Sequence, residues 1–465
     1  MELKTFFQHK KNPSLSSSQC LFSPYMHRIQ EMLETRDVLQ FLTITGTVLA
    51  VIVKAVHVSQ WPVMSSVLIL ASISCVCSCM CLFAVPGVAK LLVAAGLKGR
   101  DCHRPTSQYA EIAEATGVTV GFTYAIALTI FLPSVLLNSK NFGVEELQEL
   151  SMFLAALLSV NSMCFLGFAD NVLNLRWRHK LTLPTIASLP VLLVYYMQGG
   201  STWVLVPNFL SATAIDFGYM YYVFLSMLTV FGTNAINILA GLNGLEVGQS
   251  IVLTVAVIAN VLVQMNRHEW DAWQFNDETV FSLYILVPFL CCSVALWIFN
   301  RYPARVFVGD TYCYLAGTVL AVAGILGHCS KTVLLFMFPQ VLNFVYSLPQ
   351  LMRMIPCPRH RMPVYVEALD CVDVSFTDWM DETAVSKGML KIIETFGLAK
   401  IERNPKESKL RISNLTVINF VLWKVGRPVN EGQIVNFLLF LQVLWIILAF
   451  VLRYFGAGLV YALVD

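Results

Sequence analysis

Eleven stretches of this chain are apolar over close to the 20 residues that cross a bilayer's hydrocarbon, and nearly all its positive charge falls in alternate connections between them. The stretches are residues 39–56, 66–86, 117–137, 150–168, 183–197, 217–232, 249–265, 280–299, 313–327, 332–348 and 434–452. Several contain Pro or Gly, which spanning helices tolerate when neighbours satisfy the freed backbone groups. Of the 465 residues, 57% are hydrophobic and only 13% charged, far from the mix of a soluble domain. The pattern predicts an all-α polytopic membrane protein. The first stretch starts well inside the chain and lacks a small-residue cleavage site, so it reads as a helix rather than a signal peptide.

The basic residues set the orientation. With the N-terminus in the cytosol, 26 of the 31 Lys and Arg lie on that side, leaving Lys54, Lys140, Arg267, Lys331 and Arg453. A missed or extra span in mid-chain would scatter these charges over both faces. A net charge of +2 gives no pull toward nucleic acid, and none is expected as a partner. The 13 cysteines are scattered, many inside apolar runs, with no CxxC pair matched by a second pair at zinc spacing; they read as small buried hydrophobes.

The chain divides into a flexible basic segment (1–37), a first span with its loop (38–64), a membrane core (65–351), a cytosolic insertion (352–431) and a last span with the C-terminus (432–465). Within the insertion, residues 364–376 are rich in β-branched side chains and read as a strand pair, and 381–396 has helical periodicity. A small α/β unit before the last helix is expected. The sequon-like Asn414-Leu415-Thr416 falls in it, on the cytosolic side, and is a chance match.

Four loops on the basic face carry concentrated polar groups. In the first, residues 167–180, Asp170 and Asn171 stand at a membrane exit, where a carboxylate is expensive unless paired or bound to metal. Lys180 adds a point charge suited to phosphate, and Arg176 and Arg178 add guanidinium forks, although a plain juxtamembrane basic cluster would also explain the cations. The second, residues 233–250, holds Asn234, Asn237 and Asn243 with Gly241, Gly244 and Glu246. Amide oxygens are neutral hard ligands and also pair with base edges; helix–helix hydrogen bonding is the plainer alternative. In the third, residues 301–313, Asp310 is either a site carboxylate or an N-cap, Phe307 offers a stacking ring, and Arg301 and Arg305 are placed to face phosphate. The fourth is PCPRHRMP, residues 356–363, an Arg-His-Arg run stiffened by prolines. Together these are a phosphate and nucleotide inventory without a P-loop or a dinucleotide-binding glycine motif.

The segments FADNVLNLRWRHK, NAINILAGLNGLE, RVFVGDTYCY and PCPRHR, in that order, closely resemble the eukaryotic UDP-N-acetylglucosamine–dolichyl-phosphate N-acetylglucosamine-1-phosphotransferases, members of the polyprenyl-phosphate N-acetylhexosamine-1-phosphate transferase superfamily. The likeness runs from about residue 65 to the C-terminus. Bacterial phospho-N-acetylmuramoyl-pentapeptide transferases of that superfamily have a His-rich loop where this chain has PCPRHR. The resemblance implies about ten family transmembrane helices, so the 39–56 span is an N-terminal addition. It also implies an active site on the cytosolic face of the endoplasmic reticulum membrane, the substrates UDP-GlcNAc and dolichyl phosphate in a membrane-lipid setting, and a homodimer. The implied reaction forms dolichyl-diphosphate-GlcNAc and UMP, the first step of lipid-linked oligosaccharide synthesis for protein N-glycosylation.

Carried over by motif, Asn237 and Asp310 would hold Mg²⁺, for which Mn²⁺ is an acceptable substitute, and Lys180 with Asp170 and Asn171 would form the catalytic group. Phe307 would stack on uracil, Asn243 with Gly241 or Leu242 would bind the uridine side, and Glu114 would lie near the nucleotide pocket. Trp177, Arg359, His360 and Arg361 would recognise the sugar. One position departs from the pattern: the family usually has two adjacent aspartates where this chain has Asp170-Asn171. The amide removes a charge and any base function, yet the nucleophile is a phosphate oxygen largely ionised near neutral pH, so no strong base is obligatory. The expectation is an active or attenuated enzyme, with an impaired or inactive paralogue or variant as one alternative and a nucleotide-sugar transporter as another.

Overall fold

Without water to bond to, apolar runs of this length satisfy their backbone only as helices, and the computed structural model is helical over every predicted stretch, with one helix over each but the 332–348 stretch. It describes residues 34–58, 64–105, 111–136, 143–206, 214–267, 277–358, 360–379, 384–404 and 409–456; most of the basic N-terminal segment lies outside them. The helices are α1 (Thr35–Val58), α2 (Met64–Ala94), α3 (Gly117–Leu136), α4 (Val144–Leu173), α5 (Trp177–Met197), α6 (Tyr219–Ile238), α7 (Leu245–Arg267), α8 (Asp277–Asn300), α9 (Gly309–Leu326), α10 (Ser330–Phe336), α11 (Phe338–Leu351), α12 (Ala384–Phe396), α13 (Val417–Val425) and α14 (Glu431–Val451). Ten of these, α1 to α9 and α14, are long and apolar enough to span a membrane.

The stretch read as a single span at 332–348 is broken: α10 and α11 meet at 66°. Pro339, in the first turn of α11, cannot donate to the preceding turn. The carbonyls freed at the break are taken up by α14, with Trp445 Nε1 donating to Leu335 O at 2.8 Å and Gln442 Nε2 to Phe336 O at 3.0 Å. Counting this pair as one crossing gives eleven.

The centre of the bundle is α8 and α9, whose apolar windows are 94% and 89% buried. α9 packs on α4 and α6. At Gly232 of α6 and Gly317 of α9 the backbones touch: a Cβ added at Gly317 would lie 2.3 Å from the Gly232 carbonyl carbon. Small residues at such a crossing gain dispersion contact where lipid gives no hydrophobic drive. The cysteines of α2, α8 and α9 are free thiols, among them the buried Cys77, Cys81, Cys291, Cys292 and Cys313, as expected of small hydrophobes.

At the end of the bundle where the basic loops gather, β1 (Lys98–Arg100) pairs antiparallel with β2 (Glu111–Ala113). At the other end, β3 (Trp203–Leu205) pairs with β4 (Ala214–Asp216). The insertion holds the expected strand pair, β5 (Val364–Val366) with β6 (Cys371–Asp373), and the expected helix as α12. Beyond that reading it adds a three-stranded antiparallel sheet, β7 (Phe376–Trp379), β9 (Lys409–Ser413) and β8 (Ile401–Asn404), in the order β7-β9-β8. Two apolar clusters fasten it to the bundle. Val372, Val374, Ile418 and Leu422 pack on Leu239, Leu242, Leu245 and α14; Ile393, Ile412 and Leu415 pack with Ile355 and Tyr346 at the end of α11. Asn414 is 1% exposed and bonded to Gln350 and Ser375, which suits a buried structural amide and not a glycan acceptor.

Candidate active site

Four helix ends meet where α4 leaves the bundle. Asp170, in the last turn of α4, is 3% exposed. Its Oδ1 accepts the Leu175 N–H at 2.9 Å, which closes the turn into α5 around the left-handed Asn174. Its Oδ2 accepts the Tyr314 hydroxyl at 2.9 Å and lies 2.8 Å from Lys180 Nζ. Lys180 in α5 reaches across to Asp310 Oδ2 at 3.2 Å, so one ammonium bridges two carboxylates. Asn237 in the last turn of α6 donates from Nδ2 to Asp310 Oδ1 at 2.8 Å. Two carboxylates and one lysine leave an excess negative charge, and no described residue donates to Asn237 Oδ1. The expected group Asp170, Lys180, Asn237 and Asp310 is thus brought together.

Asn171 takes a different direction from its neighbour. Its Oδ1 accepts both the Thr311 N–H at 3.0 Å and the Thr311 hydroxyl at 2.8 Å, tying α4 to the first turn of α9. The approach is close because Gly309 lies at φ +68°; a Cβ there would sit 2.7 Å from Asn171 Oδ1. Asn171 therefore positions the helix end that carries Asp310, a task needing an acceptor and no charge.

In the loop before α9, the Phe307 ring is half-buried, and a Cβ at Gly99 would lie 3.3 Å from it and 3.8 Å from Glu114 Oε2. The backbone holds this ring in place: Phe307 N–H donates to Ala113 O at 2.8 Å, and Thr116 N–H to Phe307 O at 3.2 Å. Burial pushes the Glu114 carboxyl above the usual carboxylate range. Asn243 lies in the tight turn between α6 and α7, where Gly244 adopts φ +89° and leaves no room for a Cβ against Arg301 Cα, 2.9 Å away. Both hydrogens of the Asn243 amide face carboxylates, Asp101 Oδ2 at 2.9 Å and Glu431 Oε2 at 3.3 Å, and its backbone N–H donates to Glu431 Oε1 at 2.7 Å. The amide is fixed with its carbonyl oxygen as the available group. Gly241 donates its N–H to Glu246 Oε1 at 2.9 Å and backs onto Met362, while Leu242 turns its side chain into the cluster beneath the insertion.

Asp101, His103 and Glu431, all buried, place ligand-type atoms within 4.8 Å of one another. Each already has partners within the chain: Asn243 bonds both carboxylates, Arg104 Nε lies 3.0 Å from Asp101, and His103 Nδ1 lies 3.1 Å from Glu431. Burial pushes the His103 imidazolium pKa down, but its hydrogen bond to Glu431 and the charges of Glu431 and Asp101 more than reverse this, for a net rise. His103 Nε2 also meets Pro363 O at 3.4 Å, so the cluster joins the β1–β2 hairpin, the Asn243 turn, the PRHRMP loop and α14.

In the PRHRMP loop the Arg361 carbonyl is held by Asn419 Nδ2 of α13 at 2.9 Å. In its guanidinium, Nη1 is buried with no partner among the described residues. Burial pushes its pKa down, though a guanidinium stays a cation. His360 is exposed on the same loop. Arg359 and the side chain of Trp177 lie outside the described residues.

Arg301 and Arg305 do not face the site, contrary to the sequence reading. Both turn back to Asp37 of α1, at 2.8 and 2.7 Å. Sequence reasoning also missed Asp101, His103, Glu431 and Tyr314. Glu431 had a signal, a lone acid opening an apolar run behind Asn430, whose side chain caps α14. The others are polar residues whose links to Asn243, Glu431 or Asp170 span more than a hundred positions.

The family model for glycosyl transferase family 4 matches residues 150–328. The UDP-N-acetylglucosamine–dolichyl-phosphate N-acetylglucosaminephosphotransferase of Saccharomyces cerevisiae is 38% identical over 384 residues, covering 77% of this chain and 84% of that protein. Its Schizosaccharomyces pombe counterpart is 36% identical over 81% of this chain and 89% of its own length. More remotely, a phospho-N-acetylmuramoyl-pentapeptide-transferase of Streptococcus agalactiae is 26% identical over 52% of the chain. With the extent and level of the likeness to the yeast proteins, and with the motif residues gathered at one end of the bundle, this chain belongs to the UDP-N-acetylglucosamine–dolichyl-phosphate N-acetylglucosaminephosphotransferase family.

Proposed function

We propose that the chain transfers GlcNAc-1-phosphate from UDP-GlcNAc to dolichyl phosphate, on the cytosolic face of the endoplasmic reticulum membrane, and acts there as a homodimer. The observation that carries this reading is the Lys180 ammonium bridging Asp170 and Asp310 at a membrane-facing helix junction, with Asn237 beside them. A phosphate oxygen of the acceptor attacks the β-phosphorus of UDP-GlcNAc. The new P–O bond forms as the bridging bond to the α-phosphate breaks, and UMP leaves with that bridging oxygen. No side chain has to take a proton from the nucleophile, because a phosphate monoester with a second pKa of about 6 is already largely ionised.

The residues divide the remaining work. Asp310 and the unengaged oxygen of Asn237 offer the hard, anionic donor set that fits Mg²⁺ or Mn²⁺, the excess negative charge favouring such an ion over a further lysine. A divalent ion bound there would neutralise charge on the diphosphate. Lys180 faces the phosphates as a point charge, and Asp170 orients it. Phe307 stacks on uracil, and Asn243, its NH₂ held by Asp101 and Glu431, presents an acceptor to the uracil N3–H. Glu114 borders that pocket. Trp177, Arg359, His360 and Arg361 bind the sugar phosphate, Arg361 with a buried nitrogen that has no partner among the described residues and for which an anionic oxygen is the natural partner.

UMP release by the purified protein, with UDP-GlcNAc, dolichyl phosphate and Mg²⁺, tests the proposal. Release that needs both substrates supports it. Movement of UDP-GlcNAc across a proteoliposome bilayer without UMP would refute it in favour of transport.

A further inference from the structure

The span that precedes the family resemblance has no role in the reaction as described, yet it touches the nucleotide loop through one buried carboxylate. Asp37, in the first turn of α1, is 4% exposed. Its two oxygens are divided between two cations: Oδ1 takes Arg301 Nη2 at 2.8 Å and Oδ2 takes Arg305 Nη1 at 2.7 Å. Such charge-assisted bonds are short and directional. Both guanidiniums fold back over the end of α8. Arg301 lies 5.6 Å from the Trp297 ring centre, Arg305 lies 5.1 Å from that of Phe299, and Arg305 Nη2 donates to Ile298 O at 2.7 Å. Without Asp37, two like charges would share this space and repel each other.

The segment they pin is the one that carries the substrate contacts. Phe307 follows Arg305 by two residues and Asp310 by five. The Arg301 backbone presses on Gly244, beside Asn243, so closely that a Cβ at Gly244 would lie 2.9 Å from Arg301 Cα. A shift of residues 301–305 therefore moves both walls of the uracil pocket. On its other edge the loop is stitched to Ala113 and Thr116, so Asp37 supplies the anchor on the side facing α1. α1 is itself bound to the bundle, through Phe41, Ile52 and Val56 packed against α2 and α8.

We infer that Asp37 is a positioning residue, and that α1 is a fastener which holds the Arg301–Arg305 segment so that Phe307 and Asn243 are spaced for the uridine half of the donor. The inference rests on the assignment of Phe307 and Asn243 to uridine. It sets the affinity for the nucleotide sugar and leaves the lipid acceptor untouched.

Steady-state kinetics of UMP release separate these effects. In Asp37→Asn the KM for UDP-GlcNAc should rise about tenfold while the KM for dolichyl phosphate stays within twofold. Arg301→Gln with Arg305→Gln should give a similar rise, and adding Asp37→Asn to that pair should change it by less than about twofold, because the partners are already gone. Asp37→Glu should restore most of the affinity. An unchanged KM for UDP-GlcNAc in Asp37→Asn overturns the inference, as does an equal rise in both KM values, which would mark general loosening of the fold. If Asp37→Asn does not fold, the comparison of the arginine pair with and without it decides, and a wild-type KM in the arginine pair overturns the fastener. Phe307→Leu serves as the control on the underlying assignment. If it leaves the UDP-GlcNAc KM unchanged, the uracil reading fails; if it raises that KM while the Asp37 and arginine variants do not, only the fastener fails.

Discussion

Asn171→Asp gives the paired aspartates that the sequence resemblance implies for this position, and the structure says how little this should matter. Asn171 Oδ1 accepts two hydrogen bonds from Thr311, at 3.0 and 2.8 Å, and a carboxylate oxygen accepts both equally well. Replacing a neutral acceptor by a charged one strengthens such bonds by about 1 kcal/mol each at most. A negative charge set against the N-terminus of α9 adds about 0.3–1 kcal/mol from that helix's dipole, offset in part because residue 171 itself lies in the last turn of α4. Against this stands the repulsion of a third carboxylate near Asp170 and Asp310, which share a single lysine. The terms are of similar size and opposite sign, so the change in kcat should stay within about tenfold, or about 1.4 kcal/mol. UMP release by the two purified proteins, assayed side by side at saturating substrates, measures it. Asn171→Ala should do more harm: the Thr311 N–H loses its acceptor at a cost of about 1–3 kcal/mol, which lowers Tm along with kcat. Activity that appears only in the Asp form, with the parent chain inert, would refute the view that this position acts as an acceptor for α9 and would make the chain an inactive paralogue.

Further outcomes follow from the same geometry. Lys180→Met leaves Asp170 and Asp310 without their shared cation, and kcat should fall about a hundred- to a thousandfold while UDP binding by calorimetry weakens; a loss below threefold would be inconsistent with the bridge. Glu431→Gln puts an amide where Asn243 needs an acceptor for two of its hydrogens, so the KM for UDP-GlcNAc should rise about tenfold with kcat nearly unchanged. His103 has a folded-state pKa raised above 6.5, so its contribution to stability is full below about pH 6.5 and is lost as pH rises through the folded value. Thermal melts of the parent and His103→Gln in detergent should therefore differ most at acid pH and converge at alkaline pH; a gap that widens with pH would contradict the sign.

The membrane plan was legible because apolar length and basic asymmetry are local properties that need no knowledge of packing. The break between α10 and α11 was not, since Pro184 of α5 and Pro288 of α8 lie within continuous helices while Pro339 opens a new one. What marks Pro339 as a break is that Trp445 and Gln442, about a hundred residues away, donate to the freed carbonyls. The site shows the same division. Asp170, Lys180, Asn237 and Asp310 were readable because polar groups at helix exits are costly enough to need a reason. Glu431 and Asp101 orient Asn243, and nothing in the chain near Asn243 signals either of them.

The cations show why the distinction matters for function. Counted along the chain, Lys180, Arg301, Arg305, Arg104 and Arg361 are equivalent members of one basic face. In the folded protein four of them meet carboxylates of the chain itself: Lys180 with Asp170 and Asp310, Arg301 and Arg305 with Asp37, and Arg104 with Asp101. Arg361 keeps a buried nitrogen without a partner among the described residues, on a loop whose backbone is held by Asn419. A buried donor left unpaired costs about 1–3 kcal/mol, more when it is charged, and a fold carries that cost where a ligand removes it. On the proposed function, then, a place on the basic face does not decide what a cation does: Lys180, held between Asp170 and Asp310, and Arg361, whose buried nitrogen has no partner among the described residues, meet the donor's phosphates, while Arg301, Arg305 and Arg104 are bound to the chain's own carboxylates.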